Sequence, residues 1–208
     1  AVKHYNFTTH EGFNAGIWRN DNATDNQAAT DYDKKWIPGQ WKVPEAYDNP
    51  ASNDPWYFSA IREANYFLET VVPRFEKGEI EGSETNIKHY IGEMYFLRAK
   101  NYLSKLETFG DFPIIKNTLP DESVSLIQAS KREPRHKVAR FILEDLDLAI
   151  GLLTNTISGG KNRITKNAAL LLKSRAALYE ASWLTYHKGT ALVPGGPGWP
   201  GKAEDIAD

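Results

Sequence analysis

IGEMYFLRAKNYLSKLETF, from Ile91 to Phe109, reads like AALLLKSRAALYEASWLTY, from Ala168 to Tyr186, at an offset of 77 residues. Apolar meets apolar at Ile91/Ala168, Met94/Leu171, Tyr95/Leu172, Leu106/Trp183 and Phe109/Tyr186. The pairs Arg98/Arg175, Ala99/Ala176 and Tyr102/Tyr179 are identical. A helix repeated with its apolar stripe in phase points to stacked helical hairpins, which bury their faces on one another. Arg98 and Arg175 each fall within that stripe. Anion binding is one reading of them. The repetition favours a structural device: a partly buried Arg that fixes helix register by pairing with a carboxylate such as Glu93, Glu107, Glu144 or Asp145. Arg98, Arg175 and Glu93 are accordingly the expected structural residues. The repeat reads as a scaffold, and function belongs to what is inserted in it.

Working outward, Ser83 caps the first repeat helix and Gly110 stops it. A long connection runs from Asp111 to Arg132. Glu133-Pro134 opens a helix with Val138, Ile142, Leu146, Ala149 and Leu153 on one stripe, which should fold back on 84–109 as a hairpin. SGGKN, Ser158 to Asn162, is a turn, and Thr165 caps the second repeat helix. That helix has no partner after it and would leave apolar surface bare, as in the front part of a longer protein. Upstream, Asp54-Pro55 starts a helix with Tyr57, Ile61, Ala64, Leu68 and Val71 at spacings of four and three, ended by Pro73 and Gly78. A short helix over about 9–18 follows from the capping-box form of Thr8 and Glu11. Between them, from Arg19 to Asn53, the pattern collapses into Pro, Gly, Asn and Asp. An irregular stretch of this length in a compact domain is more often functional than accidental. PGGPGWPG, Pro194 to Gly201, is loop. No alternation of strand period appears, so the chain reads as all-α.

The composition excludes several functions. The chain has 208 residues, 41% of them hydrophobic, enough for a sizeable core. A formal net charge of −2 argues against a nucleic-acid footprint. The absence of Cys removes thiolate nucleophiles and thiolate metal sites. No apolar run approaches a membrane span. His4, His10, His89, His136 and His187 show no metal-ligand spacing, and neither a nucleophile elbow nor a phosphate-cradling loop is present. No cofactor is implied. Asp21/Asp25 and Asp31/Asp33 would serve as a glycosidase pair only if folding set them at the right separation.

The loop aromatics point to a ligand. The chain carries 6 Trp and 10 Tyr. Trp36, Trp41 and Tyr47 lie in the Pro/Gly-rich segment, with Trp18 and Trp56 at its borders. Indoles pack on the flat C–H faces of sugar rings, while Arg19, Asn22, Asp25, Asn26 and Asn53 can bond hydroxyls. The same aromatics could instead fold back as satellite core, and Trp56 begins a helix stripe.

Four blocks resemble the signature blocks of the SusD/RagB family: WYFSAIREANYFLE (Trp56–Glu69), EMYFLRAKNY (Glu93–Tyr102), FGDFP (Phe109–Pro113) and RITKNAALLLKSRAALY (Arg163–Tyr179). Their order and spacing match too, with DLDLA, Asp145 to Ala149, ahead of the fourth. The resemblance covers about residues 56–187. It implies a right-handed α-superhelix with tetratricopeptide-like hairpins and long inserted loops. It also implies a non-enzymatic, lipid-anchored protein of the outer-membrane surface. Such a protein binds glycans or other nutrients and lids a TonB-dependent SusC-like transporter. Members are about twice this length or more. The expected organisation is therefore one N-terminal helical domain over 1–208 with a loop insertion at about 19–54. The expected glycan-binding residues, assigned by position and not by motif, are Trp36, Trp41, Asp25, Asn22, Arg19, Tyr47 and Asn53. A helical-repeat scaffold for a peptide or protein partner is the alternative, and a glycoside-active enzyme is a third reading.

Overall fold

In a computed structural model of the chain, the described residues are 37, 56–156 and 162–202. The chain divides into two compact units, Ala1–Glu45 and Ala46–Asp208, and all described residues but Ile37 belong to the second. The helix expected over 9–18, the loop over 19–54 apart from Ile37, and most of the SGGKN turn lie outside the described residues.

The described part of the second unit is helical: α1 Ser59–Glu76, α2 Glu84–Phe109, α3 Ser123–Ala129, α4 Arg135–Leu152 and α5 Lys166–Tyr186. The described part is thus all-α. An isolated bridge between Phe112 and Glu133 is the sole β pairing among the described residues. α2 packs on α1 and on α4, and α5 packs chiefly on α4. The expected hairpin is present: Val138, Ile142, Leu146, Ala149 and Leu153 of the α4 stripe are all buried. Val138, Ile142 and Leu146 meet Ala99, Tyr102, Leu103 and Leu106 of α2 and Ile61 of α1 in the main core, while Ala149 and Leu153 form a second cluster with Ala169 of α5. Burying each large side chain of this set stabilises the fold by roughly 1.5–3 kcal/mol.

The long helices start and stop where their punctuation says. Ser83 is the N-cap of α2, and Gly110 ends it at φ +74, a conformation that suits a residue without Cβ. The Thr165 side chain accepts from Ala168 N and caps α5. Three expectations are corrected. α1 begins at Ser59 and not at Asp54-Pro55, because Trp56 and Phe58 are drawn into an aromatic cluster ahead of it. Trp56 therefore begins no helix stripe. Pro73 lies inside α1, and the helix runs on to Glu76: near a C-terminus it removes one hydrogen bond, while its own carbonyl still accepts from Lys77 N. The connection from Asp111 to Arg132 holds the seven-residue helix α3, which buries no residue.

Candidate functional site

FGDFP joins every long helix of the described unit. Phe112 is fully buried, with Trp56, Phe58 and Phe109 rings at 5.7, 5.1 and 5.4 Å and Tyr102 edge-on at 6.2 Å. Its N–H and C=O pair with Glu133 through two 3.1 Å bonds. Asp111 Oδ1 accepts from Arg135 N at 2.9 Å. It thereby caps α4 from outside, since Pro134 at the N-cap offers no side-chain bond. The Arg135 guanidinium reaches Glu180 of α5 at 2.8 Å and lies 3.8 Å over the Trp183 ring.

The loop beyond it, Pro113–Thr118, is pinned by side chains from two helices. Arg98 of α2 donates through Nε and Nη2 to the two Asp145 oxygens at 2.7 and 2.8 Å, a bidentate fork with both partners buried. Its Nη1 donates to Asn65 Oδ1 at 2.9 Å and to the Lys116 carbonyl at 3.2 Å. Asn65 Nδ2 in turn donates to the Ile115 and Asn117 carbonyls at 2.8 and 3.3 Å. Tyr102 Oη accepts from Ile115 N at 2.8 Å and donates to its carbonyl at 3.2 Å. Burial pushes the Tyr102 phenol up to about 12. Burial also pushes the Asp145 carboxyl above its ordinary value, with the Arg98 guanidinium pulling the other way. Glu69 accepts from Thr118 through both its side-chain hydroxyl and its backbone N–H, which lowers the carboxyl.

A second tie joins α2 to the two ends of the turn between α4 and α5. Glu93 accepts from Arg163 Nε at 2.8 Å and from Ile164 N at 3.1 Å, and Arg163 Nη2 also bonds it. The bond to Glu93 raises the already high pKa of Arg163. One turn away, the buried His89 Nδ1 accepts from Thr154 N at 3.3 Å.

The structural residues therefore differ in surroundings. Arg98 is buried and paired with Asp145, Glu93 pairs with Arg163, and Arg175 lies on the exposed face of α5. Arg175 departs from the environment its place in the repeat implies. Asn65 and the Arg135–Glu180 pair carry no mark in the sequence: both stand among ordinary surface-type residues of amphipathic helices.

Trp36, Trp41, Asp25, Asn22, Arg19, Tyr47 and Asn53 lie outside the described residues. The described indoles are committed to packing: Trp56 lies 4.0 Å from Phe109, Trp183 lies between Arg135 and His187, and Trp199 stands against His136. A half-open cleft of ≈ 260 Å³ adjoins the pinned loop, with Phe58, Ile61, Pro113, Ile115, Leu119 and Leu126 in its lining. Among the described residues no group of His, Cys, Asp or Glu is arranged to hold a metal ion, and no helix is long and apolar enough to cross a membrane.

The four sequence blocks thus meet in space as one set of ties. A SusD-like protein from Bacteroides fragilis is 30% identical, with a TM-score of 0.50, over 59% of this chain and 22% of that one. A laminarin-binding SusD-like protein is 24% identical, with a TM-score of 0.47, over 57% of this chain and 24% of its own. Surface glycan-binding protein A from Bacteroides uniformis is 18% identical, with a TM-score of 0.47, over 59% of this chain and 26% of its own. The chain therefore spans only 22–26% of the length of these proteins. No curated protein sequence matches it. The model of the SusD-like family, described as starch-binding and associating with the outer membrane, matches residues 4–178, and the chain belongs to that family.

Proposed function

We propose that the chain is part of a lipid-anchored surface protein that binds an oligo- or polysaccharide without catalysis and delivers it to a SusC-like TonB-dependent transporter. Membership of a starch-binding, outer-membrane-associated family over residues 4–178 carries this reading. The names of similar structures, one laminarin-binding and one a surface glycan-binding protein, accord with it. The packing of Trp56, Trp183 and Trp199 leaves Trp18, Trp36 and Trp41 as the indoles open to assignment as a sugar platform. Trp36 and Trp41, with Asp25, Asn22, Arg19, Tyr47 and Asn53, are the proposed contacts. Affinity should be micromolar to millimolar, since sugars exchange water hydrogen bonds for protein ones at little net gain. The organisation proposed is a single N-terminal helical domain with a loop insertion at about 19–54.

The test is calorimetry or a glycan array on the full-length protein and its Trp36→Ala and Trp41→Ala variants. Loss of binding in at least one folded variant is expected. Retention of wild-type affinity in both would place the platform elsewhere. The alternative, a helical-repeat scaffold for a peptide, has the exposed leucines of α5 in its favour. A tryptophan-fluorescence titration with oligosaccharides against peptides separates the two.

A further inference from the structure

The segment Leu119–Arg132 hangs between two fixed points. At one end Thr118 is tied to Glu69 of α1, and at the other Glu133 is paired with Phe112. Between them the hydrogen bonds are internal: Leu126 N to the Glu122 carbonyl, and Ser130 N and Oγ to carbonyls of the same helix turn. Asp121, Glu122, Lys131 and Arg132 form no ion pair among the described residues. α3 packs against no other helix, and it leaves Val124, Leu126 and Ile127 exposed. The opposite wall is held far more firmly. Ile61 and Asn65 belong to the buried face of α1, and Pro113–Asn117 is pinned by Arg98, Asn65 and Tyr102. The cleft thus has one wall fixed by buried polar bonds and another held only at its ends. Segments with few buried apolar contacts open at the low end of the stability range.

We propose that Leu119–Arg132 is a flap, hinged at Thr118 and Glu133, that gates the cleft for a small apolar anion. The lining is mostly apolar, and the guanidinium of Arg62 in that lining makes no hydrogen bond or ion pair among the described residues. An apolar body with one negative group matches that arrangement. Opening removes Leu126 and Ser130 from one side and leaves Phe58, Ile61 and Ile115 accessible.

Hydrogen exchange read by mass spectrometry tests the flap, and 8-anilinonaphthalene-1-sulfonate serves as the probe anion. Amides of 123–130 should exchange at least about tenfold faster than those of α2 and α4. Exchange as slow as in those helices overturns the proposal. Glu69→Ala, on an exposed helical site where Ala is well tolerated, removes one hinge. It should speed exchange several-fold within 119–132 alone and raise bound-dye fluorescence several-fold, and Arg62→Gln in that background should reverse much of the gain. Unchanged exchange in Glu69→Ala, or dye binding indifferent to both substitutions, overturns it equally.

Discussion

Replacing Arg98 with Ala would strand the Asp145 carboxylate, 1% exposed, without its guanidinium. It would also leave Asn65 Oδ1 and the Lys116 carbonyl without their donor. Losing one partner of a buried pair typically costs about 3–5 kcal/mol, so Arg98→Ala should unfold well below wild type in a thermal melt. Arg175→Ala, at an exposed position, should stay within about 0.5 kcal/mol. Equal effects in the two variants would contradict the difference in burial. Tyr102 gives a pH signature. Its phenol is raised by burial to about 12, so above pH 10 the unfolded chain loses the proton first and stability falls until about pH 12. Two units correspond to about 2–3 kcal/mol. Tyr102→Phe should flatten that decline in a denaturant series at pH 9 to 12. It should also lower stability at neutral pH by about 1–3 kcal/mol, because the part-buried Ile115 N–H loses its acceptor.

At the scale of the element, α2 and α4 approach closely because Gly92 has no side chain. A Cβ there would stand 3.0 Å from Leu152 Cβ and 3.0 Å from Leu153 Cγ. Leu152 Cβ is fixed to its backbone, so relief means moving the end of α4. Ala gains about 0.5–1 kcal/mol of helix propensity over Gly, but overpacking costs about 1–3 kcal/mol. Gly92→Ala should therefore be neutral to destabilising by up to about 2.5 kcal/mol in chemical denaturation, against the stabilisation expected of an ordinary helical glycine. Helices of this length were legible from sequence, because α2, α4 and α5 repeat their stripe over several turns between recognisable caps. Two features were not. α3 has too few turns to show a period, and its apolar residues are not buried. The start of α1 is displaced by tertiary packing, as Trp56 and Phe58 gain more against Phe112 than they would in a helical turn. Arg98 and Arg175 show the same limit, being equivalent in the repeat, each followed by Ala and then Tyr at the fourth position, yet placed on helices with different neighbours.

For the molecule as a whole, α5 is the helix whose outer side decides behaviour in solution. It meets α4 through Ala169, Ala176 and Glu180, while Leu170, Leu171, Leu178, Leu184 and Tyr186 face outward. The bare surface expected of the second repeat helix is thus present, and Leu170, Leu178 and Leu184 stand where the repeat places Glu93, Asn101 and Glu107 on α2. The scaffold was readable because burial leaves a periodic trace. The proposed sugar contacts rest on position alone, because a stacking platform has no period, and all of them fall outside the described residues. The outward leucines allow a last test. Leu171 and Leu178 are 74% and 69% exposed, so Lys at both positions removes little buried area. The double variant should melt within a few degrees of wild type as an isolated chain. It should also bind less apolar dye and sediment as a smaller species if the patch drives association. The same pair placed in a context where α5 is covered would bury two ammonium groups and should destabilise strongly. A double variant that unfolds in the isolated chain would mean that this face is packed against another part of the chain.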